Sequence, residues 1–138
     1  MLKFNKSTVF ALYAIMELSR DPQKVISAGQ IAGKYKISEH HVAKVLQQLK
    51  RIGLIRSIRG INGGFQIAKA PKEITVLDVV EMFESSSSNA PNLLETGENC
   101  FDTESCEIEN LFSEINELVY FTLKSVSFAT LVSPKKIS

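Results

Sequence analysis

Residues 27–68 read SAGQIAGKYKISEHHVAKVLQQLKRIGLIRSIRGINGGFQIA, and this stretch decides the fold. Ser27 and Gln30 have the spacing of a capping box, in which hydroxyl and amide each satisfy a backbone N–H that the first helical turn leaves unpaired. A helix therefore opens after Ser27, carries Ile31, Ala32 and Tyr35, and ends near Lys36. Ile37 and Ser38 make a short turn, and Ser38 is a good N-cap for the next helix. That helix runs from about Glu39 to Ile52. Val42, Val45, Leu46 and Leu49 recur at i, i+3, i+4 and i+7 and form one core stripe. Its other face carries Glu39, His40, Ala43, Lys44, Gln47, Lys50 and Arg51, and Gly53 stops it. Two short runs follow, Leu54–Arg59 and Phe65–Ala68, around Gly60-Ile61-Asn62-Gly63-Gly64. Such runs bracketing a Gly/Asn turn predict a β-hairpin, and Asn62-Gly63 can take positive φ without strain.

Upstream, Ser7 to Arg20 reads as a helix that is apolar nearly all round and so well buried. Downstream, Thr75 caps a short helix from Val76 to Phe83. A polar stretch beginning at Ser85 leads to Cys106, and a long helix is expected from Glu107 to Leu131, roughly 37 Å at 1.5 Å per residue. Leu111, Ile115, Leu118, Thr122 and Val126 form its stripe, widened by Phe112, Val119 and Leu123. This exceeds the apolar face that one small domain can cover, so its expected cover is a second copy of the chain. The fold class that results is mainly α with a small β-hairpin wing: a winged helix-turn-helix over 1–84, a loop with two cysteines over 85–106, and a dimerisation helix and tail over 107–138.

The net charge of +1 over 138 residues conceals a strong asymmetry. Residues 1–70 hold 12 Lys and Arg against three acids (Glu17, Asp21 and Glu39), a charge of +9. Residues 71–138 hold four Lys against 12 acids, a charge of −8. A basic half points to a polyanion partner, because each phosphate neutralised releases counterions. The longest early apolar run, Val9 to Met16, is too short to span a membrane, which takes ~20 residues, and no signal-peptide pattern is present. The expectation is a cytoplasmic protein without membrane contact.

In a winged helix-turn-helix the second helix of the pair enters the major groove. Ser38, Glu39, His40, Ala43, Lys44 and Gln47 would then face the duplex, since Gln can pair with adenine and Lys with guanine. Arg56 and Arg59, with Gly60, Gly63 and Gly64 at the hairpin tip, would meet phosphates or the adjacent minor groove. The alternatives are a three-helix core with a solvated charged face, or a winged helix used for protein contacts. His40 and His41 point about 100° apart on a helix and there is no third His, so they make no zinc site. No nucleophile elbow, P-loop or Cys–His pairing is present to support an enzyme.

The segment Ile55 to Ala68 resembles the wing of the Rrf2 family of bacterial regulators, S-x-R-G-x-x-G-G-[YF]-x-L-A. The resemblance extends to Lys6–Leu18, to Ile31-Ala32 with Ile37-Ser38, to Leu49–Ile55, to Glu73–Val80 and, with two departures, to Phe128–Leu131. It implies a homodimer on a near-palindromic double-stranded DNA operator and a sensing element before the long helix. Many members hold an iron–sulfur cluster there through three Cys, the last two spaced C-x5-C. Cys100 and Cys106 keep that pair, while Asn92, Leu93 and Leu94 stand where the first Cys belongs. Glu109 occupies the place of a His used by some members, and Val9 that of an acid used by others. Three readings of the pair stay open: a cluster completed by Glu109, a partner-subunit group or a small molecule; a dithiol/disulfide switch; or a loop whose sensing is altered, with a small molecule or protein as the signal.

Overall fold

Local capping defines most of the helices. In the computed structural model, which describes residues 3–84 and 106–133, α1 spans Lys6–Arg20 and opens where the Asn5 side chain accepts from the Thr8 N–H at 2.8 Å. The Ser27/Gln30 capping box is present in full and starts α2, Ala28–Tyr35. Lys36 then adopts a left-handed conformation, φ 57, and its N–H returns to the Ala32 carbonyl. A non-glycine residue in that region turns the chain sharply at a modest cost. Ser38 caps α3, Glu39–Arg51, and Gly53 at φ 88 ends that turn.

β1 (Ile55–Ile58) and β2 (Gly64–Ile67) pair antiparallel with Ile55 opposite Ile67 and Ile58 opposite Gly64. The hairpin loop is thus residues 59–63. Its positive φ falls at Gly60, φ 122, while Asn62-Gly63, which could also take it, does not. The reason is loop length: the Gly63 N–H closes a turn on the Gly60 carbonyl at 3.0 Å, and a five-residue loop places its strained position before that turn. Ile26 adds a third rung, exchanging both backbone hydrogen bonds with Phe65 at 2.9 and 2.8 Å.

After a single 3₁₀ turn at Pro71–Glu73, α4 runs Val76–Glu84 from a reciprocal cap in which Thr75 and Asp78 each satisfy the other's N–H. The core gathers Ala11, Ile15 and Leu18 of α1, Ile31 of α2, Val42, Leu46 and Leu49 of α3, Ile55 and Ile67 of the hairpin, and Val79 of α4. All four stripe residues of α3 are buried.

The long C-terminal helix departs from its expectation. α5 spans Cys106–Ser125 and the chain then breaks before a short α6, Phe128–Leu131. The Val126 carbonyl accepts from the Val76 N–H at 2.9 Å, and the Phe128 N–H donates to Ile74 at 2.9 Å. These backbone ties spend groups a continuous helix would need, and they seat Phe128, fully buried, in the core. Val126 therefore leaves the helical stripe. Among the described residues no helix is long and apolar enough to cross a membrane.

Candidate nucleic-acid interface

Burying the apolar stripe of α3 turns its other face outward. Ser38, Glu39, His40, Lys44, Gln47, Gln48, Lys50 and Arg51 are exposed and Ala43 is half-buried. Two of the first-turn side chains are committed to the protein itself. His41 turns back to α1, with Nε2 3.0 Å from Ser7 Oγ and its ring edge-on to Phe10 at 4.6 Å. The Glu39 carboxylate lies over the first turn of α2, so close that a Cβ on Gly29 would sit 3.3 Å from Oε1. The positive end of α2 favours a carboxylate there. A shallow cavity of about 530 Å³ opens between Ser7, Ser38, His40, His41, Lys44, Val45 and Gln48.

On the wing, the two expected arginines differ. Arg56 Nε donates to Gln66 Oε1 across the ladder at 2.9 Å, and Gln66 Nε2 donates on to the Gln23 carbonyl at 2.7 Å. Arg59 is exposed at the start of the loop, followed by exposed Gly60, Ile61 and Asn62. Gly63 and Gly64 are there because nothing larger fits: a Cβ on Gly63 would lie 2.4 Å from the Ile58 carbonyl, and one on Gly64 would lie 2.6 Å from that of Ile26.

The helix pair is braced by an ionic cluster that sequence reasoning passed over. Glu17, 8% exposed on α1, accepts from Arg20 Nε and Lys34 Nζ at 2.9 Å each and from the Tyr35 hydroxyl. Burial pushes its carboxyl up, but the hydrogen bonds from Tyr35, Lys34 and Arg20 outweigh that and hold it below its ordinary value. Tyr35 stacks on Tyr13 with centroids 4.4 Å apart, and burial together with the Glu17 carboxylate pushes its hydroxyl up to about 12. The available signal was one acid inside an otherwise apolar helix.

Farther along the chain, Cys106 is the first residue of α5, and Glu109, three residues later, is half-buried. Cys100, like residues 92–94, lies outside the described residues. Among the described residues no three His, Cys, Asp or Glu converge as a metal site. Cys100, Cys106 and Glu109 make three donors, where an iron–sulfur cluster usually takes four.

Along α5, Phe112, Asn116, Val119 and Leu123 are half-buried and make one face, as expected for a helix that packs on α4. Of the predicted stripe, Leu111, Leu118 and Thr122 are exposed and Ile115 is half-buried. Ile108, 57% exposed, and Phe121, 69% exposed, extend the uncovered apolar surface.

Helix, tight turn, presented helix and glycine-pinned hairpin define a winged helix-turn-helix protein. The family model of Rrf2, described as an iron-dependent transcriptional regulator, matches residues 4–134, and the chain belongs to that family. It is 39% identical over 131 residues to the HTH-type transcriptional regulator BadM of Rhodopseudomonas palustris, covering 95% of this chain and 81% of that protein. It is 30% identical over 135 residues to the HTH-type transcriptional regulator NsrR of Geobacillus kaustophilus, covering 97% and 92%. Its fold is similar to that of CymR, the global cysteine regulator of B. subtilis, at a TM-score of 0.79 and 26% identity over 99% of this chain and 100% of that one. T. potens IscR shares the fold at a TM-score of 0.71 and 20% identity, covering 95% and 86%. The chain is thus a winged-helix transcription regulator of the Rrf2 family.

Proposed function

We propose that the chain is a homodimeric, sequence-specific DNA-binding regulator, not an enzyme, that sets α3 of each subunit into the major groove of one half of a near-palindromic operator. The observation that carries this is the division of α3: its apolar stripe is fully used in the core, while Ser38, His40, Lys44 and Gln47 project from it uncovered. Lys44 and Gln47 supply donors for base edges, and Ser38 and Glu39 stand at the helix start. Arg59, at the exposed end of β1, meets the backbone or the minor groove next to the half-site. Arg56 supports the hairpin through Gln66 and reaches the backbone from its flank.

Three segments of the sequence divide the work. Residues 1–84 bind DNA, the loop 85–106 senses, and residues 107–138 pair the subunits. The exposed Leu111, Leu118 and Thr122, with Ile115 beside them, form the seam of the dimer, extended by Ile108 and Phe121. Two half-sites one helical turn apart, about 34 Å, would match such a two-fold arrangement.

Salt titration tests the reading. Several Lys and Arg per subunit would neutralise about 6–10 phosphates, giving a log–log slope of binding against salt of about −5 to −9. A flat response would overturn it in favour of a protein-contact module.

The signal is assigned to Cys100 and Cys106. With Glu109 they supply donors to an iron–sulfur cluster completed from outside the chain, or they close as a disulfide on two-electron oxidation. Charge-transfer absorption in protein purified without oxygen selects the cluster; thiol counts that fall by two under air select the disulfide. In both cases Cys100→Ser, Cys106→Ser and the double variant share one phenotype. If operator affinity is the same under air, under anaerobiosis and after iron–sulfur reconstitution, the signal is a small molecule or partner instead.

A further inference from the structure

Ile61 stands at the apex of the wing with its side chain fully exposed, 102% of its free area. The other exposed large apolar residues among those described are Ile52, at the end of α3, and a group on α5 and α6. A single exposed isoleucine is unremarkable by itself. This one is distinguished by its mounting. The Gly63 N–H bonds to the Gly60 carbonyl at 3.0 Å, so Ile61 and Asn62 are the two central residues of a closed turn. Gly60 holds φ 122, and a Cβ at Gly63 or Gly64 would meet the carbonyl of Ile58 or Ile26. The turn therefore presents a branched aliphatic knob clear of the protein, two residues beyond the exposed Arg59.

The surface that accepts an apolar knob next to a guanidinium is the DNA minor groove. Its walls are the hydrocarbon edges of the deoxyriboses, and its narrow form concentrates negative potential that attracts arginine. Resting on the DNA-binding reading above, we propose that Ile61 is the wing's apolar contact in the minor groove and that it selects A·T over G·C base pairs there. Guanine carries a 2-amino group on the groove floor, while A·T pairs present only the adenine N3 and thymine O2 acceptors. An isoleucine side chain can neither bond to that amino group nor make room for it. The wing then contributes sequence preference through the shape of the groove floor, separately from the hydrogen bonds available to α3.

The test uses the full chain and duplexes recovered from a random library by repeated selection on the purified protein. Each A·T pair flanking the half-sites is replaced in turn by G·C and by inosine·C, which lacks only the 2-amino group. At the position under the wing, G·C should weaken binding about tenfold and inosine·C should restore it. Ile61→Ala should weaken binding to the A·T duplex about tenfold, erase the A·T preference and leave the log–log salt slope unchanged, because no phosphate contact is lost. Ile61→Lys should also lose the preference, but with a steeper slope. Both substitutions fall on a fully exposed side chain, and an unchanged thermal midpoint verifies the fold. Wild-type affinity and preference in Ile61→Ala would overturn the proposal, as would inosine·C behaving like G·C. Both leave the DNA-binding reading standing. Failure to recover any duplex, with a flat salt response, would sink that reading and this proposal together.

Discussion

A single carboxylate, Glu17, holds together donors from two helices, and its titration and that of its partner Tyr35 have opposite signs. Tyr35 rises from 10.0 to about 12, so the neutral hydroxyl is what folding favours. The stabilisation is complete below pH 10, where the unfolded tyrosine is also neutral, and is lost as pH climbs through about 12. The urea midpoint should therefore fall between these limits, and fall less steeply in Tyr35→Phe. Glu17 lies below its ordinary 4.5, so its contribution is present above that pH and is lost as pH drops beneath it. Glu17→Gln should flatten the acid limb of the same curve; an unchanged acid limb would show that the cluster does not couple to folding. On the wing, Gly64→Ala forces a Cβ against the Ile26 carbonyl, where 2.6 Å is available, and should cost about 1–3 kcal/mol in chemical denaturation. Arg59→Ala should weaken binding to many sequences alike, while Lys44→Ala and Gln47→Ala should reorder preference among sequences, measured by competition with a panel of duplexes.

At the level of elements, the C-terminal third does two separable things. Phe128 is fully buried, while Leu118 is 67% exposed only ten residues earlier. Phe128→Ala should cost about 3–5 kcal/mol and lower the thermal midpoint. Leu118→Asp should leave the subunit folded yet give monomers in sedimentation, because it places an unpaired charge in the proposed seam. A stable dimer in that variant would place the seam elsewhere. The same region shows where sequence reading stopped. The α2–turn–α3 unit was legible because capping boxes, glycine stops and the i, i+3, i+4, i+7 stripe are local signals. The break after Ser125 was not, because the lone Ser127 cap is outweighed by a stripe that runs on through Val126, whose carbonyl is taken by Val76 fifty residues earlier. The candidate site was legible in outline for the same reason. Lys44 and Gln47 face out by periodicity alone, whereas the capture of His41 by Ser7 and of Arg56 by Gln66 depends on neighbours distant in sequence.

For the whole molecule, the segregation of charge governs behaviour. A sequence half at +9 and a half at −8 favour a near-neutral chain meeting a polyanion through its first half. If both subunits bind together, a monomeric variant engages one half-site. Leu118→Asp should then show a log–log salt slope about half that of wild type, alongside its loss of affinity. A full slope in a proven monomer would mean that one subunit makes all the phosphate contacts.

The glycine-pinned wing also has a genetic consequence. Every other amino acid carries a Cβ, so every missense change at codons 63 and 64 meets a backbone carbonyl at 2.4 and 2.6 Å. Change in the loop that spares the fold is thereby channelled into positions 61 and 62, both exposed. A lineage can retune what its wing meets by changing those two codons while the scaffold beneath stays fixed, so that target choice evolves without a toll on folding.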